Sequence, residues 1–346
     1  MESNNASSQI DTLFDRSYVS EKRKDLWFKG QDINEEQAVQ LAKDQFKNIV
    51  IDHLSSQSRK SIPKKIHFIW LGEKEKPEYF KVHVYGSWTS KDTYSEIITW
   101  GEKDISELDL INREIIEDKT LNPAFRADAL RLEILYQEGG AYLDTDMSGI
   151  YSLNDLLDYP TDFIIGLSNT KAFELNNAFI ASCPGHPLLK HLMETLKLNY
   201  QNHLKHVADK NKINQLLSQQ QGIQLEDIPY QKLNIIAVSG PGFMTQQIFK
   251  YLNDNKDQES GKHILITPKQ FFYPLSNEVR EKLTALNFQQ LVDEQFASEG
   301  KVMNSKDGVQ IVNPRDSIEL PIPILKHADL NTIVYGCHLW EASWQE

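Results

Sequence analysis

Residues 139–147, GGAYLDTDM, constrain this chain more than any other stretch. The glycine pair interrupts whatever precedes it, and Ala141 to Asp144 suits a short strand. Asp144 and Asp146 stand where that strand gives way. If the backbone stays extended there, both carboxylates project to the same side. Two such oxygen ligands suit Mg²⁺ or Mn²⁺, ions that also bind substrate phosphates. The alternative is a polar strand end with two solvated carboxylates. Just upstream, Pro123 sits where a helix starts, and AFRADALRLEILYQE continues it to Gly139. Asp128 and Arg131 are three apart on that helix and share a face. They either point together into a cleft or form a surface salt bridge.

The surrounding pattern alternates strands and helices. Lys65 to Leu71 is an apolar run of β-formers ended by Gly72, a helix follows Pro77, and Tyr94 to Trp100 is a second strand. Ile105 to Lys119 reads as one helix, Phe163 to Leu167 as a strand, and 186–207 and 243–253 as helices. Further on, 277–298 reads as a long helix, 305–314 as a hairpin around Asp307-Gly308, and 332–340 as a final strand. Ahead of all this, a polar lead-in gives way at Asn34 to helical spacing of Ala38, Leu41, Ala42, Phe46 and Ile49. The expected organisation is a helical extension over 1–60 and an α/β domain over 61–346. Its sheet should be mainly parallel with helices on both faces. Such sheets bind ligands beyond the carboxyl ends of their strands, where the DTD aspartates sit.

Composition narrows the function. The net charge is −12, which argues against nucleic-acid binding. No apolar run approaches the roughly 20 residues of a membrane span. The polar N-terminus is unlike a secretory signal, and two cysteines make no disulfide framework. The expected location is the cytoplasm, or a host cell reached by secretion without a signal peptide.

The stretch NPAFRADALRLEILYQEGGAYLDTDM, residues 122–147, resembles the sugar-binding region of the D-x-D glycosyltransferases shared by yeast-type α-mannosyltransferases and the large clostridial glucosylating toxins. Three further segments support the resemblance: IPKKIHFIWLGEKEKP (62–77), SGPGFMT (239–245) and CHLWEASW (337–344). It implies a GT-A fold, a Rossmann-like sheet that binds a nucleotide-sugar with a divalent metal, and retention of configuration at the transferred sugar. It also implies roles. Asp146 would be the direct metal ligand, with Asp144 on the ribose and within reach of the metal. Asp128 and Arg131 would hold the donor sugar, Arg131 near the diphosphate. Trp70 would be a platform for the base, unless it fills the core. Gly240 and Gly242 would let backbone approach a ligand, unless they only form a turn. Asn177 would lie near acceptor or sugar. For the last metal ligand the chemistry of a neutral imidazole offers His338, whereas the toxin-type resemblance implies Ser343 there, with Trp344 on the leaving phosphate. His67 reads as a satisfied structural histidine.

The favoured reading is a retaining transferase moving a hexose or N-acetylhexosamine to a protein or glycan hydroxyl. A UDP-sugar is the preferred donor and a GDP-sugar the second candidate. The toxin-type resemblance suggests a bacterial effector. Two other readings stay open: a metal-dependent phosphoesterase, and a sugar-nucleotide-binding module without turnover.

Overall fold

The computed structural model describes Phe14 and residues 24–51, 61–72, 74–92, 95–170, 172–221, 235–256, 258, 263–278, 304–305, 308–309 and 335–340. The first long element is α1 (Glu35–Ile51). It opens with a reciprocal cap: the Asn34 side chain accepts from the Gln37 N–H at 2.9 Å and Gln37 returns the contact to the Asn34 N–H at 3.0 Å. Its apolar stripe, Ala38, Ala42, Phe46 and Ile49, is buried in the same core as the sheet, with the Phe46 ring 6.5 Å from Phe271.

The sheet begins with β1 (Lys65–Ile69), followed by a π-helical turn at Phe80–Tyr85 that runs into α2 (Gly86–Lys91), and then β2 (Glu96–Trp100). After α3 (Arg113–Ile116) come α4 (Pro123–Glu138), β3 (Gly140–Leu143) and β4 (Met147–Gly149). Next are α5 (Asn154–Leu157), β5 (Phe163–Leu167), β6 (Leu175–Ser182), α6 (Pro187–Gln221), α7 (Ile235–Val238), α8 (Pro241–Asp254) and β7 (Ile264–Thr267). Two short bridges, β8 (Asn304–Ser305) and β9 (Gly308–Val309), pair antiparallel at the expected hairpin, and β10 (Gly336–His338) ends the series.

Six strands form one sheet in the order β2-β1-β3-β6-β5-β7. All run parallel except β6, which is antiparallel to both its neighbours. Every residue of β3, β5, β6 and β7 is buried. Successive strand residues face opposite sides, so both faces of the sheet are covered. The expected α/β architecture with a mainly parallel sheet is therefore present.

The turn from α4 into β3 can only be made by glycine. Gly139 and Gly140 have φ of +65° and +91°, and a Cβ on Gly140 would lie 2.7 Å from the Lys65 carbonyl oxygen. This lets β3 draw up against β1 in the register Ile66↔Ala141 and His67↔Tyr142. The carboxyl ends of the two strands then leave the sheet at one edge, carrying Trp70 and Asp144 with them.

Three expectations need correction. The segment from Ile105 to Lys119 is not one helix but a 3₁₀ turn, Ile105–Glu107, followed by α3. Leu108 is extended, and the buried Glu133 carboxylate takes the N–H groups of Ile111 and Asn112 at 3.1 and 2.7 Å. Those amides are thereby diverted from helical bonding. The final strand is shorter than expected and pairs with β4, outside the main sheet. The strands β4, β6 and β7 were not expected at all. The expected helix over 277–298 falls almost wholly outside the described residues.

His67 sits in the middle of β1 with both ring nitrogens occupied. The Trp100 indole N–H donates to Nδ1 at 3.1 Å, so the proton is on Nε2, which faces the Gly139 carbonyl at 2.8 Å. A second proton would have to be placed against the indole N–H. Burial pushes the His67 pKa down to about 4. Because the folded value lies below the unfolded one, stability supplied by neutral His67 is complete above pH ~6.5 and is lost as pH falls towards 4, by about 3 kcal/mol. Histidine-labelled NMR should find this ring neutral at pH 5; a midpoint near 6.5 would show the reading to be wrong.

Candidate active site

The site is built at the carboxyl end of β3. The Asp144 N–H extends the ladder to the Ala178 carbonyl of β6 at 2.9 Å, and then the chain turns, with Met147 N–H bonding back to the Asp144 carbonyl at 3.0 Å. The backbone is thus not extended through DTD. The two carboxylates converge through a turn instead of alternation along a strand.

Leaving that turn, β4 pairs antiparallel with β10 in the register Gly149↔Gly336, Ser148↔Cys337 and Met147↔His338. Gly149 lies flat against the buried Trp88 ring, whose N–H donates to the Met147 carbonyl at 2.7 Å. The Leu339 N–H bonds to the Asp146 carbonyl at 2.9 Å, and His338 Nε2 lies 3.3 Å from Asp146 Oδ1. Ligand atoms of Asp144, Asp146 and His338 all fall within 4.8 Å of one another. His338 is held edge-on to Trp340, with ring centroids 4.5 Å apart, and its buried Nδ1 has no hydrogen-bond partner among the described residues. Burial alone would lower its pKa, but the Asp146 carboxylate outweighs this and raises it. Two carboxylates and an imidazole with a nitrogen to spare fit a divalent cation, and an imidazole suits Mn²⁺ better than the strictly oxygen-seeking Mg²⁺.

Beneath this trio lies a buried polar network. Arg131 NH2 bonds Asp128 Oδ1 at 2.7 Å, while its NH1 reaches Asp144 Oδ1 at 3.0 Å and the Asn177 carbonyl at 2.6 Å. Asp128 and Arg131 do form an i,i+3 salt bridge, but an interior one, each side chain being 6% exposed. Asn177 Nδ2 donates to Asp128 Oδ1 at 2.8 Å, and the Ser239 hydroxyl donates to Oδ2 at 2.6 Å. The Tyr142 hydroxyl donates to Asp144 Oδ1 at 2.7 Å, and its ring carries the Arg131 guanidinium 4.4 Å from the centroid. Burial raises the Asp128 pKa, with Arg131, Ser239 and Asn177 opposing that rise. Burial also lifts the Tyr142 hydroxyl well above its ordinary value, so it stays a donor.

The structure brings together six of the expected site residues: Asp128, Arg131, Asp144, Asp146, Asn177 and His338. Trp70 stands at the same sheet edge, half-buried, against Phe80 and with its N–H on the Lys74 carbonyl at 2.7 Å. Gly240 precedes α8 and closes its contacts on the α7 backbone. Gly242 is covered by the Trp27 ring, so its bare Cα serves a side chain. Ser343 and Trp344 lie outside the described residues. Sequence reasoning overlooked Ser239 and Tyr142, although both stand inside quoted motifs. For Tyr142 the signal was its place two residues before Asp144, on the same side of the strand, whereas nothing local ties Ser239 to Asp128, 111 residues earlier.

Residues 32–162 match the family described as "Glycosyltransferase sugar-binding region containing DXD motif". "Subversion of eukaryotic traffic protein A" from Legionella pneumophila subsp. pneumophila is 28% identical over 232 residues, covering 58% of this chain and 34% of that protein. The chain thus spans about a third of that relative's length. Among solved structures, the PaToxG glycosyltransferase aligns at 18% identity and a TM-score of 0.41 over 63% of this chain and 78% of its own. The catalytic domain of alpha-toxin from Clostridium novyi aligns at 12% identity and a TM-score of 0.41 over 68% and 88%. No described helix is long and apolar enough to cross a membrane. Residues 32–162 are therefore similar to a glycosyltransferase sugar-binding region, and Asp144-Thr145-Asp146 lies inside the matched stretch.

Proposed function

We propose that the chain is a retaining, metal-dependent glycosyltransferase that moves a hexose or N-acetylhexosamine from a UDP-sugar to a protein or glycan hydroxyl. The observation that carries this reading is the convergence of Asp144, Asp146 and His338 directly above the Arg131–Asp128 network. The three upper side chains would hold Mn²⁺, whose charge neutralises the departing diphosphate. Arg131 is too buried to reach far. It fixes and partly neutralises Asp144 and Asp128, so that each presents its carboxylate in one orientation. Asp128, bridged to Ser239 and Asn177, is the group assigned to the sugar hydroxyls. Trp70, outside the core, supplies a face for the uracil. The donor stays UDP-sugar by resemblance to the toxin-type motifs. The name of the Legionella relative suits an acceptor inside a eukaryotic cell, and we place this protein there as an effector.

Two tests follow from the site. Mass spectrometry with a panel of nucleotide-sugars should find one UDP-sugar consumed far faster than the rest with Mn²⁺ present, and none in excess EDTA. Cleavage of simple phosphodiesters in place of sugar transfer would favour a phosphoesterase, and tight binding without turnover a binding module. Mn²⁺ with UDP should also raise the melting temperature of the wild type, since a ligand bound only to the folded state stabilises it. Asp146→Asn and His338→Ala should lose that rise; a full rise in both would leave the trio without a metal.

Trp70→Ala should weaken UDP binding by roughly 1–3 kcal/mol, as expected for loss of one aromatic–base stack. Trp70→Phe should lose less because a π-face survives. Calorimetric titration with UDP checks both, and an alanine variant that is folded and binds UDP as before would exclude the platform.

A further inference from the structure

Besides Arg131 on its own helix, Asp128 is held by two side chains from distant parts of the chain, Asn177 on β6 and Ser239 just before α8. Both segments are gripped by one residue that lies outside the sheet altogether. The Trp27 indole N–H donates to Glu174 Oε2 at 2.7 Å, just ahead of β6, and Glu174 Oε1 takes the Thr170 hydroxyl at 3.0 Å. The six-membered edge of the same ring covers Gly242. A Cβ placed there would come within 2.5 Å of the ring, so the indole and the first turn of α8 are in full contact. Thr245 adds a second tie between the two segments, accepting the Leu175 N–H at 2.9 Å and donating to the Pro241 carbonyl at 2.7 Å.

Trp27 is itself held firmly. Asp25 and Glu35 exchange backbone-to-carboxylate bonds, Asp25 N–H to Glu35 Oε2 at 2.7 Å and Glu35 N–H to Asp25 Oδ1 at 3.3 Å. The adjacent Phe28 is buried against Phe173 and Phe249, at 6.2 and 5.9 Å between centroids. The tryptophan thus stands on a tethered turn and spans the two strips of chain that deliver the Asn177 and Ser239 hydrogen bonds to Asp128.

We propose that Trp27 is a positioning residue of the donor-sugar site: it clamps the approaches to β6 and α8 together so that Asn177 and Ser239 hold Asp128 in place. The inference rests on the transferase reading above, in which Asp128 faces the sugar. It predicts a specific defect. Loosening the clamp should disturb recognition of the sugar and leave recognition of the nucleotide, which belongs to the other side of the site. A residue that merely fills the core would instead lower stability and weaken both alike.

The experiment compares wild type, Trp27→Ala, Gly242→Ala and the double variant. Turnover of the wild type's own UDP-sugar, affinity for UDP with Mn²⁺, and hydrogen exchange are measured on each. Trp27→Ala should lose tenfold or more in kcat/KM for the UDP-sugar while its UDP affinity stays within twofold. Exchange should quicken in peptides covering 172–182 and 235–245 and stay unchanged in 35–51. Gly242→Ala, whose methyl would collide with the ring, should give the same pattern. In the double variant the methyl has room, so the two losses should be less than additive. Unchanged kcat/KM in a wild type that turns over and a Trp27→Ala that is folded would overturn the clamp alone. So would equal losses in UDP and UDP-sugar. A wild type inert towards every nucleotide-sugar would overturn the transferase reading and this role with it.

Discussion

Arg131 carries a full charge in an interior where water hardly reaches, and the site is arranged around neutralising it. Burying such a charge costs several kcal/mol unless it is paired and fully hydrogen-bonded. Here Asp128, Asp144, the Asn177 carbonyl and the Tyr142 ring each supply part of the compensation. Asp128 is on the same helix as Arg131, Tyr142 and Asp144 come from β3 and its end, and Asn177 comes from β6, so meeting the demands of one guanidinium fixes α4, β3 and β6 relative to one another. Such a network is costly when half-satisfied and rigid when complete. The rigidity matters because Asp144 belongs at once to this network and to the trio with Asp146 and His338. One carboxylate oxygen is held from below by Arg131 and Tyr142, which leaves the carboxylate a single orientation above.

The position of β6 follows from the same constraint. It is the one strand of the six-stranded sheet that runs against the others, and it lies beside β3 on the side away from β1. Running in reverse, it delivers its beginning, with Asn176 and Asn177, to the edge where β3 ends. A parallel strand there would bring its carboxyl end instead, and the Asn177 side chain and carbonyl would not both meet α4. The reversal is therefore tied to the polar contacts of the site.

Much of this was legible in the sequence because it is local. Pro123 announces the start of α4, where the Asn122 side chain accepts the Ala124 N–H at 2.8 Å. Gly139-Gly140 marks a turn that no other residue can make, and the DTD aspartates lie at a strand end as expected. What escaped notice is what only the assembled chain decides. The sequence of β6, LNNAFIAS, has two asparagines directly after its first residue, a type that disfavours strands; they are tolerated because Asp128 and Ser168 occupy their side chains. Between Ile105 and Lys119 the apolar spacing suits a helix, yet a carboxylate from α4 captures the amides that would continue it. The N-terminal region reads as an appendage because its polar stretches dominate, whereas α1 and the Trp27 turn share the central core.

The pairing of β4 with β10 joins the two aspartates to a histidine encoded far downstream. Local contacts form early in folding, and partners distant in sequence meet only after the intervening chain has been ordered. During synthesis the helix α4, the glycine turn and both aspartates leave the ribosome long before His338 does. A trio that takes its imidazole from so far downstream is assembled only where β10 has paired with β4.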